Sequence, residues 1–334
     1  MKIGITGGAG FIGGWTAAKA LEHGHSVVVM DRRARQFDHP GLAEAAGTPE
    51  LVDRLEMYLG DVMDSTAMTE LAAHVDGIIH LAACLGTQET ITNPRPAAMT
   101  NVLGGLNFLE AVNQYGIAGT YIGVGNHWMN NTYSISKTTV ERFVHMFNAE
   151  RWQHDGCPVN IVRAVNAYGP GQSMAPPYGP AKVRKITPAF VARALTGAPI
   201  EIYGDGQQVS DMVWVGDVAE ALVRALEASH AGHLIPIPVE VGPEHSADVN
   251  TVAEEILMAA ARHDIPDAPP MRHLPMRPGE EPGATVKADV STLGALGMSP
   301  AELVPLRVGI RRTVDWYAEN WLPEYRATEA KGKV

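Results

Sequence analysis

The stretch KIGITGGAGFIGGWTAAKALEHGHSVVVMD, residues 2–31, decides the fold class of this 334-residue chain. Apolar residues dominate 2–6 and 26–30, and they recur with helical spacing from 11 to 22. These patterns predict a strand at Lys2–Thr6, a helix at Phe11–Glu22 and a second strand at 26–30. A strand, a helix and a strand in this order are typical of a parallel α/β sheet.

A glycine-rich turn joins the first predicted strand to the helix. Gly8, Gly10 and Gly13 have the G-x-G-x-x-G spacing, in the strand–turn–helix context that the dinucleotide fingerprint requires. The first two glycines let the backbone approach a pyrophosphate, and Gly13 lets the helix pack close to the strand. Free N–H groups at the helix start favour an anion. The motif therefore predicts a dinucleotide site.

The end of the second strand bears on the choice of dinucleotide. Asp31 stands there, where a carboxylate accepts hydrogen bonds from ribose hydroxyls and repels a 2′-phosphate. This favours NAD over NADP. The neighbouring Arg32, Arg33 and Arg35 are positioned to receive a 2′-phosphate instead, so NADP is the alternative.

The alternation of strands and helices continues through the first half of the chain. Strand patterns occur in YLGDVMD (58–64), DGIIHLAA (76–83) and AGTYIGVG (118–125), and residues 98–116 have helical spacing. The pattern predicts a doubly wound parallel sheet. Its ligands bind at the carboxyl ends of the strands. The predicted ends are 7–13, Asp31, Asp61, 81–83 and 123–126.

Composition and charge exclude several classes of protein. The formal net charge of −11 at pH 7 makes the chain a poor electrostatic match for nucleic acid or an anionic membrane surface. Cys84 and Cys157 lie far apart without metal-ligand spacing, so we expect reduced thiols and no bound metal. No leader pattern precedes the first strand, and no apolar run reaches about 18 residues. We therefore expect a cytoplasmic protein.

Motifs along most of the chain resemble the extended short-chain dehydrogenase/reductase family, in particular its NAD-dependent nucleotide-sugar epimerases and dehydratases. The matching motifs are TGGAGFIG (6–13), GDVMD (60–64), HLAA (80–83), NVLGGLNFLEA (101–111), YSISK (133–137), VRAVNAYGPGQ (162–172), IYGDGQQ (202–208), VWVGDVAEAL (213–222) and RPGE (277–280). Each motif alone is weak evidence, but together the motifs occur in the same order as in the family.

The resemblance implies an α/β fold with a Rossmann domain and a smaller C-terminal substrate-binding lobe. The Rossmann domain is expected at 1–165, with a segment at about 205–240 returning to it, and the lobe at 166–204 and 241–325. Residues 326–334 are expected to form a frayed tail.

The resemblance also implies NAD as cofactor and a nucleotide-diphosphate sugar as substrate. The expected cofactor contacts are Gly7, Gly10, Phe11, Ile12, Gly13, Asp31, Arg32, Asp61, Val62, Leu81, Ala82, Ala83, Asn101, Tyr133 and Lys137. The expected substrate contacts are Thr87, Gln88, Asn166, Lys185, Tyr203 and Arg277. Ser210 stands where the family generally has an arginine, and the basic residues at 182, 184 and 185 either compensate for it or form a solvated face.

Tyr133 and Lys137 lie four positions apart in a segment with helical spacing, which places them on one helix face. A phenol with a pKa near 10 is a poor base at neutral pH, but an adjacent ammonium and an oxidised nicotinamide stabilise its phenolate. Tyr133 is therefore the expected proton acceptor from a sugar hydroxyl, and Lys137 is expected to hold the nicotinamide ribose, as in the family.

The hydroxyl that family members place before this tyrosine is missing. Residues 124–126 are Val-Gly-Asn, and no Asp or Glu occurs between 123 and 137. We expect Asn126 or His127 to donate the missing hydrogen bond, with capping or packing as the alternative role of His127.

These features favour an NAD-dependent epimerase that inverts C4 through a transient keto-sugar. Dehydration, decarboxylation or a single oxidation by the same family chemistry is the alternative, and a non-catalytic NAD-binding module is a second class. The resemblance also implies a homodimer, since subunits of the family often pair through the tyrosine-bearing helix. The apolar stripe of TTVERFVHMFNAERW (138–152) suits such an interface, and packing in the core is its alternative role.

Overall fold

A seven-stranded parallel sheet forms the centre of the computed structural model, which describes residues 1–33, 53–151, 156–263, 265, 269–276, 283 and 285–330. The strands are β1 (Lys2–Thr6), β2 (Ser26–Asp31), β3 (Leu55–Leu59), β4 (Gly77–His80), β5 (Ala118–Val124), β6 (Val159–Ala164), β7 (Asn166–Tyr168), β8 (Ile200–Tyr203), β9 (Val209–Ser210), β10 (Met212–Trp214), β11 (Val239–Val241), β12 (Met271–Leu274) and β13 (Thr285–Val286). The large sheet has the order β11-β6-β5-β4-β1-β2-β3.

Helices follow most of these strands. They are α1 (Phe11–Glu22), α2 (Ser65–Ala72), α3 (Pro94–Ala98), α4 (Gly104–Tyr115), α5 (Thr132–Arg151), α6 (Ile186–Thr196), α7 (Val215–His230), α8 (Val249–Ala260), α9 (Leu306–Trp316) and α10 (Leu322–Glu329). A π-helical turn, Met99–Leu103, joins α3 to α4. Because β1, β2, β4 and β5 are buried almost throughout, the sheet is covered on both faces, as parallel sheets require.

The described residues divide into two units. Unit 1 comprises Met1–Val165, Val215–Gly242 and Ala288–Glu302, and it contains the large sheet. Within it, α1 packs against α7, while α4 packs against α2 and α5. A core cluster around Phe108, Tyr121 and Val140 is closed to solvent. The predicted doubly wound α/β fold is confirmed.

Strand register brings the functional ends of the strands to one edge. Thr6, the last residue of β1, pairs with Met30 on one side and with His80 on the other. The residues that follow these strands therefore emerge side by side, as expected for a parallel sheet.

Unit 2 comprises Asn166–Trp214, Pro243–Lys287 and Leu303–Val334. Its strands form three parallel pairs, β7 with β10, β8 with β12 and β9 with β13. Helices α6 and α8 pack together, as do α8 and α9.

The unit boundaries differ from the predicted ones in two places. The segment that returns to unit 1 is Val215–Gly242, and Ala288–Glu302 also belongs to unit 1. The expected frayed tail is helical as far as Glu329, where α10 ends, and 331–334 lie outside the described residues. None of the described helices has the length and apolar composition needed to cross a membrane.

Candidate active site

The glycine turn between β1 and α1 leaves room for a ligand against bare backbone. Gly7 has a φ of 69°, in the left-handed region that favours glycine. A Cβ on Gly13 would lie 2.4 Å from the Gly7 carbonyl oxygen and 2.6 Å from Gly8 Cα. The contacts are with backbone atoms, so a larger residue fits at this position only if the turn moves.

The start of α1 offers its N–H groups to an anion. Gly10 precedes the helix, Phe11 and Ile12 begin it, and among the described residues no side chain caps this end. The first N–H groups of a helix need partners, and the helix dipole favours a negative charge there. The turn therefore fits the pyrophosphate of a dinucleotide.

Acidic side chains stand where β2 and β3 end. Asp31 is only 8% exposed, and its Oδ1 accepts a bond from Arg33 N at 3.0 Å. Arg32 Nη1 lies 3.7 Å from Asp61 Oδ2. This carboxylate edge suits ribose hydroxyls. Arg35, part of the NADP alternative, lies outside the described residues.

The backbone after β4 lies against the glycine turn. Leu81 N and Ala82 N are 3.2 and 3.4 Å from Thr6 Oγ1. A Cβ on Gly7 would approach Ala82 Cα to 2.8 Å. The fold thus brings Gly7, Leu81 and Ala82 together, with Ala83 next in the same loop.

Asn101 and Val62 have structural contacts beside this loop. The Asn101 side chain accepts from Cys84 N at 2.7 Å and donates to Ser136 Oγ at 2.9 Å, which links the loop to α5. The buried Val62 accepts a bond from Asn107 Nδ2 through its carbonyl at 2.8 Å. Both residues are predicted cofactor contacts, and their hydrogen bonds hold the neighbouring loops in place.

Tyr133 and Lys137 lie in the first two turns of α5. Asn131 Oδ1 accepts a bond from Ser134 N at 2.9 Å, as an N-cap does. Tyr133 is half-buried, whereas Lys137 is 1% exposed. The Lys137 Nζ lies 4.1 Å from the centroid of the Tyr121 ring, a distance at which a cation is attracted to the ring face.

Burial dominates the ionisation of this pair. It raises the pKa of the Tyr133 phenol to about 12. It lowers the pKa of the Lys137 ammonium to about 7, although the Glu141 carboxylate opposes this shift. Stabilisation of the Tyr133 phenolate by Lys137 together with an oxidised nicotinamide stays a prediction, and burial of the phenol works against it. A phenolate at Tyr133 needs a further cation beside it.

A partly buried ion-pair network near Lys137 adds residues that the sequence analysis does not include. Glu141 Oε2 accepts a bond from Arg163 Nη2 at 2.6 Å, and Arg163 Nη1 lies 3.0 Å from Glu240 Oε1. Burial, with the Lys137 charge, lowers the pKa of His80 to about 3. The four-residue step from Lys137 places Glu141 on the same helix face and could have pointed to it. Arg163, Glu240 and His80 come from three separate strands, so no local signal joins them to Lys137.

Asn126 and His127 have different surroundings in the turn after β5. Asn126 Nδ2 lies 3.3 Å from Met129 Sδ. The His127 carbonyl accepts a bond from Thr138 Oγ1 at 3.2 Å, which ties the turn to α5. His127 Nδ1 is buried, and within the described part of the chain it has no hydrogen-bond partner. Such orphaned polar atoms are rare and costly.

Thr87 and Gln88 lie in a turn that is tied to the start of α5. Thr90 Oγ1 donates to Gly86 O at 2.6 Å, and Thr90 O accepts from Thr132 Oγ1 at 3.1 Å. Thr132 directly precedes Tyr133. The two predicted substrate residues and the tyrosine therefore belong to one region of unit 1.

Within unit 2, Asn166 already has protein partners. Its Nδ2 donates to Ser210 Oγ and lies 3.4 Å from the carbonyl oxygen of Asp211. The serine that replaces the family arginine thus contacts a predicted substrate residue.

The basic residues before α6 are only partly available to a substrate. Arg184 Nη2 lies 3.1 Å from Glu201 Oε2, and Arg184 Nη1 donates to the Tyr203 hydroxyl at 3.1 Å. Lys182 is exposed and Lys185 is half-buried just before the helix. Arg277, the expected diphosphate clamp, lies outside the described residues.

Residues 3–237 match the model of the NAD dependent epimerase/dehydratase family. The dTDP-glucose 4,6-dehydratase of Mycobacterium tuberculosis (strain H37Rv) is 28% identical over 342 residues, covering 99% of this chain and 98% of that protein. The UDP-N-acetyl-alpha-D-glucosaminuronate decarboxylase of Bacillus cytotoxicus is 26% identical over 332 residues, covering 94% of this chain and 97% of that protein.

A solved structure adds an epimerase to this comparison. The UDP-glucose 4-epimerase of Thermotoga maritima, crystallised with UDP-glucose, superposes with a TM-score of 0.76 at 25% identity, covering 95% of this chain and 98% of that one. The expected resemblance and NAD as the cofactor are confirmed. With the family model matching well over half of its length, the chain belongs to the NAD dependent epimerase/dehydratase family.

Proposed function

We propose that this protein is an NAD-dependent C4 epimerase of a nucleotide-diphosphate sugar. One observation carries the proposal: the segment 123–137 keeps Tyr133 and Lys137 but contains no carboxylate. Oxidation and reduction at one carbon need a proton acceptor at its hydroxyl, which the tyrosine supplies. Elimination of water also needs a second acid. In the family this acid is a carboxyl group, and the segment 123–137 contains none.

The cofactor site uses the residues that emerge at the carboxyl edge of the sheet. The turn at 7–13 would hold the pyrophosphate, Asp31 would accept from the adenosine ribose, and Asp61 with Val62 would border the adenine. When bound, oxidised NAD supplies a reversible hydride acceptor with a positively charged ring. Lys137 would hold the nicotinamide ribose.

Tyr133 would take the proton from the sugar hydroxyl at its Oη. Its pKa of about 12 keeps the phenol protonated at neutral pH, and only the phenolate can accept the proton, so positive charge near the ring is required to ionise it. Lys137 contributes to that charge while it stays protonated, and Glu141 favours its protonated form.

His127 is the residue that we propose in place of the missing hydroxyl. Its buried Nδ1 without a partner among the described residues supports this role, whereas the Asn126 amide faces Met129. The ring nitrogen would donate to the substrate oxygen at C4, or accept from it, and so orient it toward Tyr133.

Replacing His127 by alanine should lower turnover roughly 10- to 100-fold, the cost of one lost hydrogen bond to a reacting oxygen. Asn126→Ala, the adjacent control, should stay within about threefold of the wild type, because its amide nitrogen already donates to Met129 Sδ. The measurement is the initial rate of epimer formation at saturating substrate, with NAD content checked in each variant. Unchanged rates in both variants would remove the proposed role.

Substrate contacts are proposed for Thr87 and Gln88 in unit 1 and for Asn166, Lys185 and Tyr203 in unit 2. Arg184 pairs with Glu201, and we propose that Lys182 and Lys185 also help to compensate for the arginine that the family generally has at position 210. The diphosphate would be held by these lysines and by Arg277.

Dehydration at C5 and C6 is the second candidate, since a relative at 28% identity is a dTDP-glucose 4,6-dehydratase. In this case His127 would have to act as the acid that a carboxyl group supplies elsewhere. Incubating nucleotide sugars in D₂O without added NAD separates the two reactions by NMR. Epimerisation leaves C5 unlabelled, whereas a 4-keto-6-deoxy product with deuterium at C5 would contradict the proposed function.

We also propose a homodimer that pairs through α5. Ile135 and Met146 on this helix are 55% and 48% exposed, and Met99 in the adjoining π-helical turn is 49% exposed. A contiguous exposed apolar patch marks an interaction site, and these side chains would form such a patch on one face of α5 and the adjoining turn. Light scattering at micromolar concentration should give twice the chain mass, and a monomer mass would contradict the proposal.

A further inference from the structure

We propose that the end of α1 and the facing side of α7 form a binding site for a borderline divalent cation such as Zn²⁺, with His23, His25 and Glu227 as ligands. One donor atom from each residue lies within 4.8 Å of the other two. His23 is exposed and the other two are partly buried, so an ion has access from solvent. The inference is independent of the proposed function.

The three side chains converge on one carboxylate oxygen. Glu227 Oε1 lies 3.1 Å from His23 Nδ1 and 2.9 Å from His25 Nε2. Metal-bound nitrogen and oxygen atoms lie about 2.0–2.2 Å from Zn²⁺. Donor atoms already this close together need only small side-chain rotations to surround an ion.

Backbone geometry presents both histidines to the same side. Gly24 has a φ of 86°, in the left-handed region where glycine is favoured. His23 N, Gly24 N and His25 N all donate to carbonyls in the last turns of α1, at 3.0 Å each. The sequence His-Gly-His therefore forms a closed helix end, and its two rings face α7.

Glu220 is placed to accept a hydrogen bond from the ring nitrogen of His23 that would not bind the metal. Its Oε2 lies 3.1 Å from His23 Nε2, and its Oε1 accepts from Arg224 Nε at 2.6 Å. A ligating imidazole typically donates its second N–H to a carboxylate. When the ring proton is on Nε2, the Nδ1 lone pair of His23 faces Glu227 Oε1 at 3.1 Å, and a metal ion between these two acceptors would take the place of the proton that otherwise joins them.

The donor types select the class of ion. Two imidazole nitrogens and one carboxylate favour Zn²⁺, Co²⁺ or Ni²⁺ over Mg²⁺ and Ca²⁺, which prefer oxygen ligands. Three protein ligands leave a fourth position for water. The Met1 amine, 3.4 Å from His25 Nδ1, would give up that contact, because a metal on Nε2 leaves the ring proton on Nδ1.

The location separates this site from the cofactor. His25 directly precedes β2, whereas Asp31 is the last residue of that strand. The ion would therefore lie at the amino end of the sheet and would join α1 to α7 rather than take part in catalysis.

The test uses full-length, tag-free protein that has been stripped of metal with a chelator and dialysed. Calorimetric titration with Zn²⁺, with metal counted by mass spectrometry, should show one Zn²⁺ per chain. His23→Ala and His25→Ala should each lose this stoichiometric binding, and Glu220→Gln should weaken it about 10- to 100-fold. His245→Ala removes an exposed histidine and should bind like the wild type.

Two further readouts guard against misfolding and against other ligands. Zn²⁺ should raise the melting temperature of the wild type and of His245→Ala but not of His25→Ala, whose metal-free melting temperature should match the wild type. The Co²⁺ spectrum should contain no thiolate charge-transfer band. Wild-type protein without stoichiometric Zn²⁺, full binding by both histidine variants, or a thiolate band would overturn the proposal.

Discussion

Replacing Tyr133 by phenylalanine is expected to lower turnover by roughly 10³-fold, because general-base proton transfer contributes about 10²- to 10⁴-fold in enzymes. The substitution removes one oxygen from a half-buried ring and leaves the α5 backbone and its Asn131 cap unchanged. Bound NAD and the melting temperature should therefore stay close to wild-type values. Product formation at saturating substrate is the measurement.

Tyr115→Phe provides the matched control for this change. Tyr115 ends α4 and is 42% exposed, so loss of its hydroxyl should leave turnover within about twofold of the wild type. If Tyr133→Phe retained more than a tenth of wild-type activity with full NAD occupancy, the tyrosine would not be the proton acceptor.

Gly13→Ala is expected to yield folded protein that no longer retains NAD. The added Cβ would meet the Gly7 carbonyl oxygen at 2.4 Å and Gly8 Cα at 2.6 Å, so the turn must shift. A shift of this size would misalign the N–H groups that receive the pyrophosphate, and each lost charge-assisted bond costs about 1.5–3 kcal/mol. Two such bonds correspond to a loss of affinity of at least 100-fold.

The NAD content of Gly13→Ala is measured after denaturing the purified protein, and affinity follows from calorimetric titration. Gly294→Ala is the control, since nothing lies within 4 Å of a Cβ added there. Both variants should keep wild-type circular dichroism. Normal NAD content in Gly13→Ala would mean that the pyrophosphate does not rest on this turn.

The spacing of apolar residues and glycines was sufficient to predict the first βαβ unit. The predicted bounds of β1 and α1 are those of the structure, and β2 extends by one residue to Asp31. The agreement has a physical cause: the strands are buried on both faces, most of α1 is buried as well, and there is no room for a Cβ at Gly7 and Gly8 of the turn between them. The same constraints placed Gly7 and Ala82 in one region.

Contacts between residues far apart in the chain, and the burial of individual side chains, could not be predicted from short sequence motifs. The pairing of Arg184 with Glu201, 17 residues away, has no signal in the basic run at 182–185. Burial raises the pKa of the Tyr133 phenol. The Y-x-x-x-K spacing places Tyr133 and Lys137 on one helix face but does not reveal how deeply either side chain is buried. His23 and Glu227 lie 204 residues apart in the chain, so no sequence motif joins them.

The central claim is that Tyr133 takes the hydroxyl proton while the hydrogen on the same sugar carbon moves to bound NAD. The hydride returns to the sugar in each cycle, so the label is present in the cofactor only while the cofactor is reduced. The most direct test mixes the protein with a nucleotide sugar deuterated at C4, quenches the reaction with base during turnover, and measures deuterium in the reduced cofactor by mass spectrometry. We expect deuterated reduced cofactor in the wild type and almost none in Tyr133→Phe at the same early time. Reduced cofactor without deuterium in the wild type, or equal labelling in both proteins, would be the opposite result.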